Sequence, residues 1–348
     1  MRQTIGRIVL PRSGMHLNQK SGRGGHLATK ADRLGVLAGV RYVVERSRYV
    51  HVDEAAIASI APGLSKRISV PAWSPPNHAI EATDQGINWL LVLDALNFSF
   101  WGDNRWTVDD RGENVNGFRA LAAALSRASA EGIPITDPDY LASITASDLA
   151  HILRGTHTIP MLDRRVENLR EVGEGLRDRF EGSFARAVES CRGSAVRLVQ
   201  LLAATFPSFN DTTDYQGSEV RFYKRAQLLV SDLYGAYQGQ GWGKFDDLDE
   251  LTVFADYKLP QILRHMGMIT YIESMAEKVD NRYVLVPGSR DEVEIRAATV
   301  WACEVLRRAL ASHGANLRAF ELDWWLWNET QKLNGSMKPY HLARTVYY

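Results

Sequence analysis

INWLLVLDALNFSFWGD, residues 87–103, leaves no polar stripe at helical spacing, with Leu90, Leu91, Val92, Leu93, Ala95, Leu96, Phe98, Phe100 and Trp101 spread over all sides. A helix apolar all round is either buried in a large domain or crosses a membrane. Asn88, Asp94 and Asn97 interrupt the run, which falls short of the roughly 18 uninterrupted apolar residues expected of a span. The segment is therefore read as the central helix of a protein core. Asp94 and Asn97, at i and i+3, share one face. Burying a carboxylate without donors costs on the order of several kcal/mol or more. The pair must satisfy itself as a structural hydrogen bond or line a wet cavity.

Outward from this helix the chain reads as mostly helical. Towards the N-terminus, Leu34, Leu37, Val40, Val43 and Val44 keep helical spacing, and a short extended piece at 48–52 carries His51 ahead of a helix opened by Asp53. Pro62, Pro71, Pro75 and Pro76 make residues 62–78 a loop into the central helix. Beyond it, 106–116 reads as strand and turn, 117–131 as a helix of small residues, and Thr145 with Asp148 as a capping box. Amphipathic helices follow at 160–180, 184–191 and 194–206. Residues 220–238 form a second core helix with Arg221, Lys224 and Arg225 at its start and Asp232 inside it. The run 246–254 predicts a helix, then a turn and a helix opened by Pro260, placing Asp256 near a helix N-terminus where the dipole favours its ionised form. A short strand at 282–286 and a helix at 291–312 come next. In the last helix Asp323 and Asn328 alternate with Trp324, Trp325 and Trp327, and the aromatic segment 339–348 is expected to dock. About a dozen helices and few strands predict a mainly α fold, a single multi-helix domain over 29–348. Residues 1–28, rich in Gly, Ser, Arg and Lys, read as a flexible tail.

Composition narrows the function. The 348 residues carry 41 basic and 41 acidic side chains, so no global field recruits nucleic acid or an anionic membrane. Cys191 and Cys303 are far apart in helical patterns, which suits a reducing compartment and excludes a disulfide scaffold. No secretory or membrane-spanning segment is legible, so a cytoplasmic location is expected. Dinucleotide, P-loop, zinc-protease and serine-hydrolase signatures are absent, and nine scattered histidines lack metal-ligand spacing. No metal or cofactor is therefore expected. What remains is a set of carboxylates among aromatics: Asp94, Asp232, Asp256 and Asp323. Paired carboxylates serve glycoside cleavage at sugar–oxygen bonds, and the residue pattern alone goes no further.

Six blocks, LDALNFSFW (93–101), EGIPITD (131–137), FYKRAQLLVSD (222–232), FADYKLPQIL (254–263), EVEIRAA (292–298) and LDWWLW (322–327), resemble the queuosine salvage protein family in one order across about residues 36–348. The resemblance implies a queuosine 5′-phosphate N-glycosidase that releases queuine for reuse in tRNA, with a helical fold reminiscent of helix-hairpin-helix DNA glycosylases. It implies that Phe254 and Asp256 form the catalytic centre and that Asp323, Trp324 and an early histidine, mapped to His51, bind the base. Where many relatives carry Asp-Tyr-Tyr-Leu-Trp-Asp, this chain has Trp324, Trp325 and Asn328, so one polar contact to the substrate becomes an amide. Asp232 and Asn97 are further candidates for contacting the substrate, and Lys224, Arg225 and Lys258 are the cations nearest the motifs for its 5′-phosphate. Two other classes are compatible with the residues. A DNA or RNA glycosylase wants a basic face, against which the balanced charge speaks; in a non-catalytic nucleoside-binding protein Asp94 and Asp256 would be structural. Base release from a mononucleotide separates the three.

Overall fold

The central helix spans Asp84–Ala95, and every residue from Gly86 to Ala95 is buried. Thr83 starts it by accepting the Gly86 N–H on its hydroxyl, 3.1 Å away. Its C-terminal end is closed in an unusual way. A helix leaves its last carbonyls without intrahelical partners, and here buried cations collect them. Arg225 donates to the Asp94 and Ala95 carbonyls at 3.0 and 2.7 Å. Arg165 donates to those of Leu96, Phe98 and Ser99, and Asn168 adds a 3.0 Å bond to Ala95. Both guanidiniums also lie over the Phe98 ring, 4.2 and 5.3 Å from its centroid. Positive charge at a helix C-terminus is favourable, and this arrangement fixes Asp94 and Asn97 where the chain leaves the helix.

The computed structural model describes residues 31–73, 80–333 and 335–348. The expected tail at 1–28 lies outside the described residues, as do Pro75 and Pro76. Asp32–Tyr348 is one compact unit. Among the described residues there are fourteen α-helices and only short strands, in four separate two-stranded pairs. The fold is mainly α. Val50–Val52 pairs antiparallel with Ile269–Tyr271, and Val284–Leu285 pairs parallel with Leu342–Ala343. Hairpins at 107–116 and 212–221 complete the set. No helix among the described residues is long and apolar enough to cross a membrane.

Most helices fall where the periodicity puts them: Glu54–Leu64 is capped by Asp53, the Thr145–Asp148 capping box is formed, and Lys224–Ala236, Arg290–Ser312 and Ala319–Lys332 lie within the predicted runs or close to them. Three boundaries differ: the run read as helix over 87–103 leaves the helix after Ala95, where buried cations take its last carbonyls, the helix before the proline-rich loop continues through Pro62 to Leu64, and the helix expected to open at Pro260 begins at Lys258. The largest departure is residues 246–254. Only Leu248–Glu250 makes a single 3₁₀ turn, and the chain then runs extended through Thr252, Val253 and Phe254 into the helix Lys258–His265. This buried segment pairs with no strand, so side chains take up its backbone groups. Gln227 accepts the Thr252 N–H at 2.7 Å, Asp323 accepts the Phe254 N–H at 2.7 Å, and Arg296 donates to the Ala255 carbonyl at 3.1 Å. Three helices thus hold the residues just before Asp256. β-Branched and aromatic side chains suit that extended geometry.

Candidate active site

Arg296 and Asp211 form the frame beneath the site. Buried on the Arg290–Ser312 helix, Arg296 makes two hydrogen bonds to Asp211 and lies 3.9 Å from the Phe222 ring centroid. Asp211 in turn accepts the Lys224 N–H on its carboxylate and the Phe222 and Tyr223 N–H groups on its carbonyl. Tyr223 takes a left-handed conformation (φ 49°, ψ 38°) that starts the next helix. The Asp211–Arg296 pair therefore ties Lys224 and the 251–256 segment to one rigid point.

Above that frame is a cavity of about 410 Å³. Asn97, Lys224, Asp232, Phe254, Asp256, Asp323, Trp324 and Asn328, eight of the residues singled out from the sequence, line it, whereas Arg225, expected near the phosphate, is occupied by main-chain carbonyls at the end of the central helix. The structure does not bring His51 there. It stands exposed on its strand, while its neighbour Val50 points into the core, as strand alternation requires.

The carboxylates differ in their tethers. Asp256 uses Oδ1 to accept the Lys258 and Leu259 N–H groups at 2.8 and 2.9 Å, which leaves Oδ2 for the cavity. Burial raises its proton affinity, opposed chiefly by the Lys224 ammonium and then by those two N–H groups. Lys224 is itself pushed down by burial, with Asp256 the strongest charge acting the other way. Asp323 is likewise anchored through one oxygen, to Phe254 N, and is raised well above the usual carboxylate range by burial and then by Asp256. Asn328 donates to the Trp324 carbonyl at 2.9 Å, leaving its amide oxygen available. The Asp94–Asn97 pair is present but long, at 3.4 Å, and Asn97 also lines the cavity.

The aromatic walls include residues that the sequence did not single out. Trp73, from the proline-rich loop, donates its indole N–H to Asp232 at 3.0 Å and packs into the notch left by Gly235. Phe118 meets Trp327 edge to face, with centroids 6.4 Å apart. Both are isolated aromatics in sequence, and only the three-dimensional convergence marks them. A second, more polar cleft of about 520 Å³ shares Asn97, Phe118, Arg119, Lys224, Asp256 and Trp327 with the first, and it adds Arg105, Lys258 and Arg282. Lys258 is held below the usual ammonium range by burial, with Arg105 adding like-charge repulsion. Asp256 and Lys224 therefore stand where an aromatic chamber opens into a cationic one. Among the described residues no group of three His, Cys, Asp or Glu side chains is placed to hold a metal.

Fold and site together define a mainly α protein whose buried carboxylates converge on a chamber of flat, ring-sized walls. The chain belongs to the queuosine salvage protein family, whose model matches residues 77–348. It is 48% identical over 323 residues to a Sphaerobacter thermophilus protein named queuosine 5′-phosphate N-glycosylase/hydrolase, covering 92% of this chain and all of the relative. Proteins of the same name from Bos taurus and Schizosaccharomyces pombe are 35% and 30% identical. Those matches cover 88% and 84% of this chain and 97% and 90% of the relatives.

Proposed function

We propose that this chain hydrolyses the N-glycosidic bond of queuosine 5′-monophosphate and releases queuine for salvage into tRNA. The observation that carries the reading is the position of Asp256 at the junction of an aromatic chamber and a cationic cleft. A nucleotide laid across that junction has its base in the first, its phosphate in the second and its glycosidic bond between them.

Queuine is a 7-deazaguanine, so the ring atom that purine hydrolases commonly protonate is carbon. Bond breaking then leans on stabilising the oxocarbenium-like charge at the ribose. Asp256, anchored through Oδ1, offers Oδ2 to that centre either as a nucleophile or as the base that activates water. Lys224 favours the ionised carboxylate against the burial that raises its proton affinity. Asp323 pairs with the N–H donors of the guanine-like edge through its remaining oxygen, a charge-assisted and directional contact. Phe254 and Trp324 supply ring faces. Lys258, Arg105 and Arg282 receive the 5′-phosphate, and an anion there relieves the repulsion of Lys258 by Arg105. The substrate is a mononucleotide rather than a nucleic-acid strand, consistent with the zero net charge. The active unit is assigned to residues 29–348 and the reaction to the cytoplasm.

The test is chromatography of products after incubating the protein with queuosine 5′-monophosphate in buffer containing a chelator. Stoichiometric queuine and ribose 5-phosphate support the reading. An intact nucleotide, or activity restored only by added metal, rejects it.

A further inference from the structure

Asp232 has no task in the reaction just derived, although it stands in the wall of the same chamber. It lines the aromatic chamber and not the cationic cleft, so it lies on the side away from the phosphate end. Only 3% of its surface is exposed, and the Trp73 indole holds it at 3.0 Å. Behind it is Asp94, fully buried, whose Oδ2 meets no donor. The two carboxyls stand on helices that pack together, close enough for the charge of Asp232 to raise the proton affinity of Asp94. The cation that most offsets their charge is Lys224, whose strongest partner is Asp256. Two buried carboxyls therefore back a stretch of wall that is otherwise apolar: Leu228, Trp73, Ala72 and Pro71. A neutral nucleobase requires no such arrangement, and its burial is costly.

A base bearing a cation does require it. On the assignment proposed above, three parts of the ligand point away from the ring in different directions: the glycosidic nitrogen, the edge carrying the N–H donors, and the aminomethyl arm on carbon 7, which is protonated at neutral pH. Asp256 takes the first and Asp323 the second. Asp323 is anchored at Phe254 and Asp232 at the Trp73 indole, so the two carboxylates hold separate stretches of the chamber wall. We infer that Asp232, backed by Asp94 and oriented by Trp73, is the receptor for the ammonium of the carbon-7 arm and makes the site selective for cationic 7-aminomethyl-deazaguanines over neutral deazaguanines and guanine. The carboxylate gives a charge-assisted bond and the indole face a cation–π contact. The entering ammonium places its positive charge beside the Asp232 carboxylate, which balances one charge with one.

The experiment compares two nearly isosteric bases on the full chain by calorimetry: 7-aminomethyl-7-deazaguanine, cationic, and 7-hydroxymethyl-7-deazaguanine, neutral. Wild type should bind the cation about tenfold or more tightly. In Asp232→Asn that preference should fall several-fold, while affinity for the neutral base stays within about threefold. Equal affinities in the wild type overturn the inference without need of the variant. An undiminished preference in a folded Asp232→Asn protein, or equal losses for both bases, overturns it as well. Failure of the glycosidase reading is a separate result: a wild type that prefers the cationic base yet releases none from the nucleotide would sink the catalytic assignment and leave this one standing.

Discussion

At Asp256 capping and chemistry coexist in one side chain. One oxygen accepts two backbone N–H groups and the other is left to the cavity, so a helix-capping reading and a catalytic one do not compete. Asp256→Asn keeps an acceptor for the cap but removes the charge. Turnover of queuosine 5′-monophosphate should fall about a hundredfold or more, with queuine affinity little changed; near-normal turnover would leave Asp256 only a cap. Asp323 separates binding from stability in a similar way. The structural alternative to base reading, an arginine partner in the core, is replaced by the Phe254 N–H. Asp323→Asn still accepts that N–H and should melt near wild type while losing about tenfold in queuine affinity. Asp323→Ala should lose both, because a buried N–H is left unpaired at a cost of about 1–3 kcal/mol. Calorimetry beside a thermal melt distinguishes the two. Residue types and motif position pointed to these carboxylates. The tether of each was not legible, since it depends on backbone groups distant in sequence.

Among the elements, the central helix was the most readable because its all-round apolarity has only two physical outcomes, one excluded by length. The misread element is equally instructive. Residues 246–254 have enough apolar periodicity for a helix, but the backbone groups of Thr252, Phe254 and the adjoining Ala255 are taken by Gln227, Asp323 and Arg296, each more than 20 positions away. Such long-range capture outweighs local propensity and leaves no local trace. Likewise Trp73 belongs to the wall because Gly235, on the Lys224–Ala236 helix, has no side chain: a Cβ there would lie 2.2 Å from the Trp73 ring. In a helix Gly→Ala ordinarily adds up to about 1 kcal/mol of stability. Gly235→Ala should instead expel Trp73, change the tryptophan emission and lower kcat/KM for the nucleotide. Unchanged emission with normal kcat/KM would show that the indole is dispensable to the wall.

For the molecule as a whole, buried titratable groups make stability depend on pH in opposing directions. Asp94 and Asp232 are both held above the usual carboxylate range, Asp232 at about 7 against 3.8, chiefly by burial. With the folded value raised, their contribution is complete below the unfolded pKa and is lost as pH rises through about 7. His341 is buried and neutral, pushed down to about 3 from 6.5. Its contribution is complete above 6.5 and is lost as pH falls towards 3. Over about pH 4 to 6.5 the two trends oppose each other, the acids lowering stability as pH rises and His341 raising it. In urea titrations, Asp94→Asn should flatten the decline contributed between about pH 4 and 7, because one of the two acids is gone. A pH dependence over that window unchanged from wild type would exclude the pair as its origin. Composition announced the helical class and the paired acids of the pocket, but the coupling of Asp94 to Asp232 came only from packing the central helix against the Lys224–Ala236 helix.

The loop that leaves the central helix is closed from the opposite end of the sequence. The Ser99 amide and hydroxyl donate to the Tyr348 main-chain oxygen, and the hydroxyl also to that of Thr345, across 249 and 246 positions. Tyr348 extends this contact by hydrogen-bonding Glu292, four residues before Arg296. Closing a loop of that length is rewarded only when both of its ends are in place, so the local helices form first and this part of the pocket wall depends on a contact that only the collapsed chain can make.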